Sequence, residues 1–406
     1  MAYLPLTIFF LVVVFFQFNA LSASMNAFIF ISQIISSPSV MMLMNTFAYF
    51  TEKHPADRGI NVMNSVEILA TAFGIWNLDF FRMLYKPYCL HPSLSIIQVM
   101  CLDYAVAMYP LLLIVSTYMF FELHKRLKVV QVLFKPFVWL FACANHQWNA
   151  STSLIEAFAT FILLSYVKVI NTSFDILMPT EVYNVSGQVV GLYAYYNGSM
   201  EYFGHDHLPY AVLAIFMFTT FNLAPFLLLC LYPCRCFQSC LNCCRLNSQV
   251  LHTFMDAFQG CYKFEPYDCR YWAAFYLFLR ITVLAVFAFT QGVFFVVACG
   301  IFFIPVIILT AITRPYRKSV YNVIDVVIFL AFIQVCFSAA SIGLVLPGQS
   351  FIFTPTMFLI GIIIPLLYIT HLAVYKILPN TCIARVKKLA LHHLYFQQSM
   401  LQRRDR

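Results

Sequence analysis

Charge is what this sequence has least of. Lys, Arg, Asp and Glu make up 10% of its 406 residues, against roughly 25% in a soluble domain. So few charges cannot cover the surface of a soluble globule of this size. Catalytic signatures are missing too. There is no phosphate-cradling glycine loop, no HExxH and no GxSxG, so the reaction classes those motifs mark are set aside and no cofactor is expected. No Asp/His pair at helical spacing, with a partner, suggests an intramembrane hydrolase. A basic segment before the first apolar run, Leu4 to Phe18, is absent, and a second run follows at once, which is unlike a cleavable signal. The 14 cysteines lie mostly in or beside apolar runs and do not follow a secreted disulfide pattern.

What is there is apolar. Hydrophobic residues make up 62% of the chain and the mean hydropathy is +0.82. Runs of about 20 such residues fit helices that cross a bilayer. The expected fold is all-α, a polytopic membrane helix bundle of about nine spans, near 4–20, 25–48, 94–121, 152–170, 209–232, 272–291, 294–313, 322–345 and 355–378, with a basic tail over 379–406. Pro38 interrupts the second run. Pro110, Pro225, Pro305 and Pro365 fall inside others, where packed membrane helices tolerate them.

Lys and Arg in short loops set the expected orientation. The 122–151 loop holds Lys125, Arg126, Lys128 and Lys135, the 314–321 loop reads RPYRKSVY, and the tail is basic. All three are expected to face the cytoplasm. The 171–208 loop has no Lys or Arg and carries Asp175, Glu181, Glu201 and Asp206. It also holds sequons at Asn171, Asn184 and Asn197, which suit an outer, glycosylated loop. A fourth sequon at Asn149 falls on the cytoplasmic side and is expected to stay unmodified. An odd span count then puts the N-terminus outside and the C-terminus inside, most simply at the plasma membrane. The net charge of +8 is clustered in the cytoplasmic segments. It suits anionic lipid rather than nucleic acid.

The one polar, turn-rich passage in the second half, DAFQGCYKFEPYDCRYW at 256–272, has two readings: a cytoplasmic strap between helices, or a ligand or catalytic site. Upstream, Leu246, Val250, Phe254 and Phe258 recur every four residues, with Leu251 and Met255 beside them. That period predicts an amphipathic helix along the inner membrane surface, ended by Gly260. The pattern favours the strap.

Two constellations could carry chemistry. Cys234, Cys236, Cys240, Cys243 and Cys244 follow a span directly. They read as S-acylation sites, as inert reduced thiols, or as zinc ligands without a second cluster to complete a tetrahedron. Cys261 and Cys269 are expected to stay reduced in the cytosol. Charges inside spans are the stronger lead, because each costs roughly 2.5–3.5 kcal/mol to insert. Asp103, Arg280 and Asp325 are the candidates, with Glu156 and Lys168 near the ends of the fourth span. Arg280 with Asp325 or Asp103 makes either a structural ion pair or part of a hydrated path. Gln334 and Asn222 are expected to hydrogen-bond between helices, and His371 to pack. No metal site is expected.

The strings DAFQGCYK, DCRYWAAFYLFLR, FNALSASMNAFIFISQII, WNLDF, ATFILLSYVKVI and RPYRKSVYNVIDVVIFL together resemble the multi-pass C-terminal regions of large, uncharacterised invertebrate cell-surface proteins. More remotely, they are similar to the transmembrane domain of transient-receptor-potential-like proteins, where a basic PY loop precedes an Asn- and Asp-bearing helix. In the cell-surface family a large cysteine-rich ectodomain usually comes first. The resemblance therefore implies a short member or the membrane part of a longer chain. It implies a non-enzymatic receptor or anchor held in the lipid bilayer, with a cytoplasmic protein partner on the basic tail. The remoter likeness implies a cation channel or transporter with Asp103, Arg280 and Asp325 near its path. Oligomeric state is not implied.

Overall fold

The computed structural model describes residues 3–15, 18–36, 73–78, 94–126, 150–244, 249–289 and 293–344. The ninth expected span, His371, the basic tail and the Asn149 sequon lie outside them. Among these residues ten helices follow one another: α1 (Leu4–Phe15), α2 (Ala23–Ile35), α3 (Ile96–Arg126), α4 (Ala150–Leu177), α5 (Leu208–Leu231), α6 (Arg235–Cys243), α7 (Gln249–Gln259), α8 (Tyr271–Phe289), α9 (Val293–Thr313) and α10 (Ser319–Leu344). A 3-10 turn, Gly74–Asn77, stands between α2 and α3.

The all-α expectation needs one correction. The loop between α4 and α5 folds as an antiparallel sheet of β1 (Pro179–Tyr183), β2 (Val189–Ala194) and β3 (Asn197–Glu201), in that order. Val182, Val189, Val190, Tyr183 and Tyr193 are strand formers. Asn184 closes the first turn: its Oδ1 accepts from the Gln188 N–H at 2.8 Å, and Gly187 takes φ +79°, a conformation suited to glycine.

Among the described residues, three helices are long and apolar enough to cross a membrane: Ile96–Phe120 of α3, Thr152–Leu177 of α4, and α5. Their burial separates their roles. It is 83% for α4, against 33% for α3 and 22% for α5, so α4 is the central shaft and the other two lie on the outside. The outward faces are apolar: Leu112, Val115 and Met119 on α3, Val212, Ile215 and Phe216 on α5, Ile304, Ile308 and Ile312 on α9. A surface of that kind fits a lipid environment better than water.

Inside, polar contacts join the helices. Asn222, in a π-turn over Thr219–Leu223, donates through Nδ2 to the Tyr166 carbonyl at 2.8 Å, the interhelical bond expected of it. Pro225 lies just beyond. It has no N–H to give the carbonyl four residues back, and the widened turn absorbs the defect. Near Pro110, Ser165 Oγ of α4 donates to the Ala107 carbonyl of α3 at 2.8 Å.

The molecule has two distinct ends. At one, the sheet sits on the tips of α4 and α5: the Tyr202 hydroxyl donates to the Leu177 carbonyl at 2.8 Å, and His207 Nε2 lies 3.0 Å from the Ile176 carbonyl. At the other, α7 packs beside Phe158 of α4 through Phe254 (centroids 6.1 Å), and Gln259 Nε2 donates to the Leu229 carbonyl of α5 at 3.1 Å. Along α4 the two ends are about 30 Å apart at 1.5 Å per residue, a hydrocarbon thickness.

Candidate functional site, a buried polar node

The strap reading of 256–272 describes what forms. Helix α7 ends at Gly260, where a Cβ would stand 2.6 Å from the Asp256 carbonyl oxygen, so no larger residue fits without a shift. Its apolar face is used differently from expectation. Met255 and Phe258 are buried in the core and Phe254 and Leu251 pack against it, while Val250 is exposed. The face thus meets protein, with Val250 at its exposed edge. After Gly260 the chain forms a bridge to the loop between α9 and α10, pairing Tyr262 with Tyr316. Their rings stack at 5.0 Å. Arg270 holds Asp268 with a forked pair of bonds at 2.9 and 2.6 Å, which keeps that carboxyl below its ordinary value. Burial pushes the Cys261 thiol up to about 12, which leaves it unreactive. Cys261 and Cys269 are both free thiols.

Above this bridge lies the most polar part of the interior. Arg280 on α8 is fully buried. Its Nη2 donates to Asn26 Oδ1 at 2.9 Å and its Nε to Gln33 Oε1 at 3.1 Å, both on α2. Its Nη1 donates to the Tyr276 carbonyl one turn back at 3.2 Å, and the guanidinium lies 5.3 Å from the Phe30 ring centroid. Gln33 passes the connection on, donating to the Trp76 carbonyl at 3.0 Å and the Leu163 carbonyl at 3.4 Å. Asn77 beside Trp76 donates to the Gln33 carbonyl at 2.9 Å and to Ser36 Oγ at 2.8 Å. On the other side, the Tyr276 hydroxyl donates to Asp325 Oδ2 of α10. Asn322, one turn before Asp325, closes the preceding loop by accepting from the Tyr316 N–H at 2.9 Å.

The expected ion pairs are therefore rearranged. Arg280 makes no salt bridge to Asp325 or Asp103 among the described residues. It is met by amide and carbonyl oxygens, with Tyr276 standing between it and Asp325. Asp103 instead pairs with Lys168 of α4, Nζ to Oδ1 at 2.8 Å. Spacing could not have revealed these partners: Gln33 and Asn26 lie 247 and 254 residues from Arg280. Four buried atoms on the elements of the node lack a hydrogen bond of ordinary geometry among the described residues: Ser32 Oγ, Asn77 Oδ1, Tyr316 OH and Asp325 Oδ1.

Five stretches far apart in the sequence converge here. They supply Asn26 and Gln33, Trp76 and Asn77, Leu163, Tyr276 and Arg280, and Tyr316, Asn322 and Asp325. Chemically the node is a clamp. A cation and a carboxyl, both costly to bury alone, are each matched by oriented dipoles that tie α2, α8 and α10 together. Among the described residues no group of three or more His, Cys, Asp or Glu could hold a metal ion.

The cysteines separate by exposure. Cys236, Cys240, Cys243 and Cys244 are exposed, and their spacing puts them on one face of α6 and its first residue beyond. Cys234 is half-buried, with Sγ 3.6 Å from the Tyr271 hydroxyl. Hydroxylamine-sensitive acyl exchange on membranes is expected to label the chain, and to lose the label when the four exposed cysteines become serine. Cys234→Ser alone should leave it. A label that survives the fourfold change would remove α6 as the modified segment.

The Asn171 sequon is not in a loop. The apolar period runs on through Phe174 and Ile176, so α4 extends to Leu177. Thr172 and Ser173 are buried, and Ser173 Oγ lies 2.8 Å from the Tyr104 hydroxyl. Asn184 is exposed and Asn197 half-buried, each at a turn of the sheet.

Comparison of the chain with protein-family models, with curated proteins and with solved structures gives no match.

Proposed function

We propose that this chain is the multi-pass membrane region of a non-enzymatic cell-surface receptor or anchor, as its resemblance implies. The supporting observation is how its interior charges are used: Lys168 on Asp103, Arg280 on Asn26 and Gln33, Asp325 on Tyr276. Each spends its charge on joining helices, which suits a rigid support. In this reading about nine helices span the plasma membrane, the sheet faces outside, and α6, α7 and the basic tail face the cytoplasm and its protein partners.

Two measurements test it. Glycosidase treatment of the expressed chain should give mobility shifts lost with Asn184→Gln and Asn197→Gln, and no shift assignable to Asn171, because a sequon wound into a helix with its Ser173 buried cannot reach a transferase. Modification at Asn149 instead would invert the orientation. Whole-cell recording under several stimuli should show no current belonging to this chain.

A second reading, a cation channel or transporter of the receptor-potential type, is favoured by one feature: Asp325, fully buried, holds the Tyr276 hydroxyl on its carboxyl inside the bundle, and a carboxyl among apolar helices is the kind of group that marks an ion path. A current abolished by Asp325→Asn and Asp103→Asn would establish it and displace the anchor.

A further inference from the structure

The paired loops at the α7 end carry charge that the fold itself does not consume. Tyr262 and Tyr316 fix them side by side, with the Lys263 N–H donating to the Pro315 carbonyl at 2.9 Å and the Arg317 N–H to the Cys261 carbonyl at 3.2 Å. Arg317 Nε donates to the Tyr262 carbonyl at 2.9 Å. Its guanidinium and that of Arg270 both approach the Phe264 ring, at 4.4 and 5.1 Å from the centroid.

Acids cancel charge on one loop only. Residues 261–270 hold Lys263 and Arg270 against Glu265 and Asp268, and Asp268 is taken by Arg270. Residues 314–318 hold Arg314, Arg317 and Lys318 with no acid. All three are exposed, and none pairs with a carboxylate among the described residues. The excess is therefore fixed in place: a backbone bond and an aromatic ring hold Arg317 so that its two Nη groups point to no partner within the described chain.

What surrounds these cations limits what they bind. Tyr267 is 80% exposed and Phe264 and Tyr271 nearly half so, a ring of aromatics of the kind found at headgroup depth. Ile312 lies two residues before Arg314, and Val320 two residues after Lys318; they are 75% and 65% exposed and begin the bare apolar faces of α9 and α10. A ligand that satisfies both must carry an anionic head and continue into apolar tails.

We infer that the joined loops 261–270 and 314–318 bind the phosphate-bearing headgroup of an anionic membrane lipid. Arg314, Arg317 and Lys318 meet the phosphate oxygens, and the outer faces of α9 and α10 take the acyl chains. That the lipid comes from the inner leaflet rests on the orientation proposed above; the binding itself does not.

The test uses the full chain purified in detergent. Affinity is measured for dioctanoyl phosphatidylinositol bisphosphate, dioctanoyl phosphatidylcholine, inorganic phosphate and a short polyglutamate. The bisphosphate lipid should bind well above phosphatidylcholine. R314Q/K318Q should weaken it roughly 25-fold at low salt, about fivefold for each cation at a lipid headgroup, and adding R317Q should weaken it further. The double variant removes no bond that holds the loops, so it carries the test if R317Q disturbs folding, and an unchanged melting temperature verifies it. Equal affinity of the double variant and the parent overturns the proposal. So does displacement of the lipid by equimolar phosphate, which would make this a free-anion site, and so does equal binding of polyglutamate, which would make it a peptide surface. An inverted glycosylation pattern with intact lipid binding would revise the leaflet and leave the site.

Discussion

Replacing Arg280 with alanine is expected to destabilise the folded chain by about 3–5 kcal/mol, the cost of stripping a buried charge site of one member. The reasoning does not depend on an ion pair. Asn26 Oδ1 and Gln33 Oε1, both buried, would each lose a charged donor, at about 1–3 kcal/mol apiece. The Phe30 ring would lose the cation above it, and a cavity would open where the guanidinium stood. Because Gln33 also holds the Trp76 and Leu163 carbonyls, the loss should spread to the docking of the 3-10 turn. Arg280→Lys should recover only part, since one ammonium cannot present the planar fork that reaches both acceptors. Thermal unfolding in detergent, followed by size-exclusion profile, measures the effect. A variant that melts within a degree or so of the parent would mean the node does not hold the bundle.

Phe30→Ala is the second large effect, again about 3–5 kcal/mol. Phe30 is fully buried, and its ring meets those of Tyr276, Phe303, Phe329 and Phe332 at centroid distances of 6.1, 5.8, 6.0 and 6.2 Å. It is the point where α2 joins α8, α9 and α10. Lipid can refill a gap on the outside of such a bundle but not one at its centre, so the whole cavity term remains. Phe216→Ala, on the outward face of α5, is the control: the ring is 60% exposed and its removal should cost under about 0.5 kcal/mol. Equal losses from the two substitutions would show that Phe30 does not hold α2 to α8, α9 and α10.

Much of the helical frame was legible in the sequence because apolar run length is a local property. The expected spans at 209–232, 272–291 and 294–313 meet α5, α8 and α9 within about two residues at each end, the usual uncertainty of helix boundaries. The amphipathic period before Gly260 likewise predicted α7. The misses have a shared cause. Residues 179–201 look like a loop in the sequence because sequons and the absence of Lys and Arg mask the valines and tyrosines that build the sheet. The fourth expected span ends at 170, where a polar Asn171-Thr172-Ser173 follows. The helix runs through it because Thr172 bonds back to the Lys168 carbonyl at 3.0 Å and Ser173 finds Tyr104 on α3. A polar residue ends a helix only when it lacks a partner, and partners across helices are not visible in one strand of sequence.

By itself, then, the sequence determined that the chain is built from apolar helices, where most of them begin and end, and which side chains would be expensive to bury. Hydropathy and period act over a few residues, so they can be read in order along the chain. Only the tertiary structure decided how that expense is met: Arg280 by Asn26 and Gln33 rather than by an acid, Asp103 by Lys168, Asp325 by Tyr276. A buried charge chooses whatever oriented dipole the packing brings within 3 Å or so, and that choice belongs to the arrangement of helices in space.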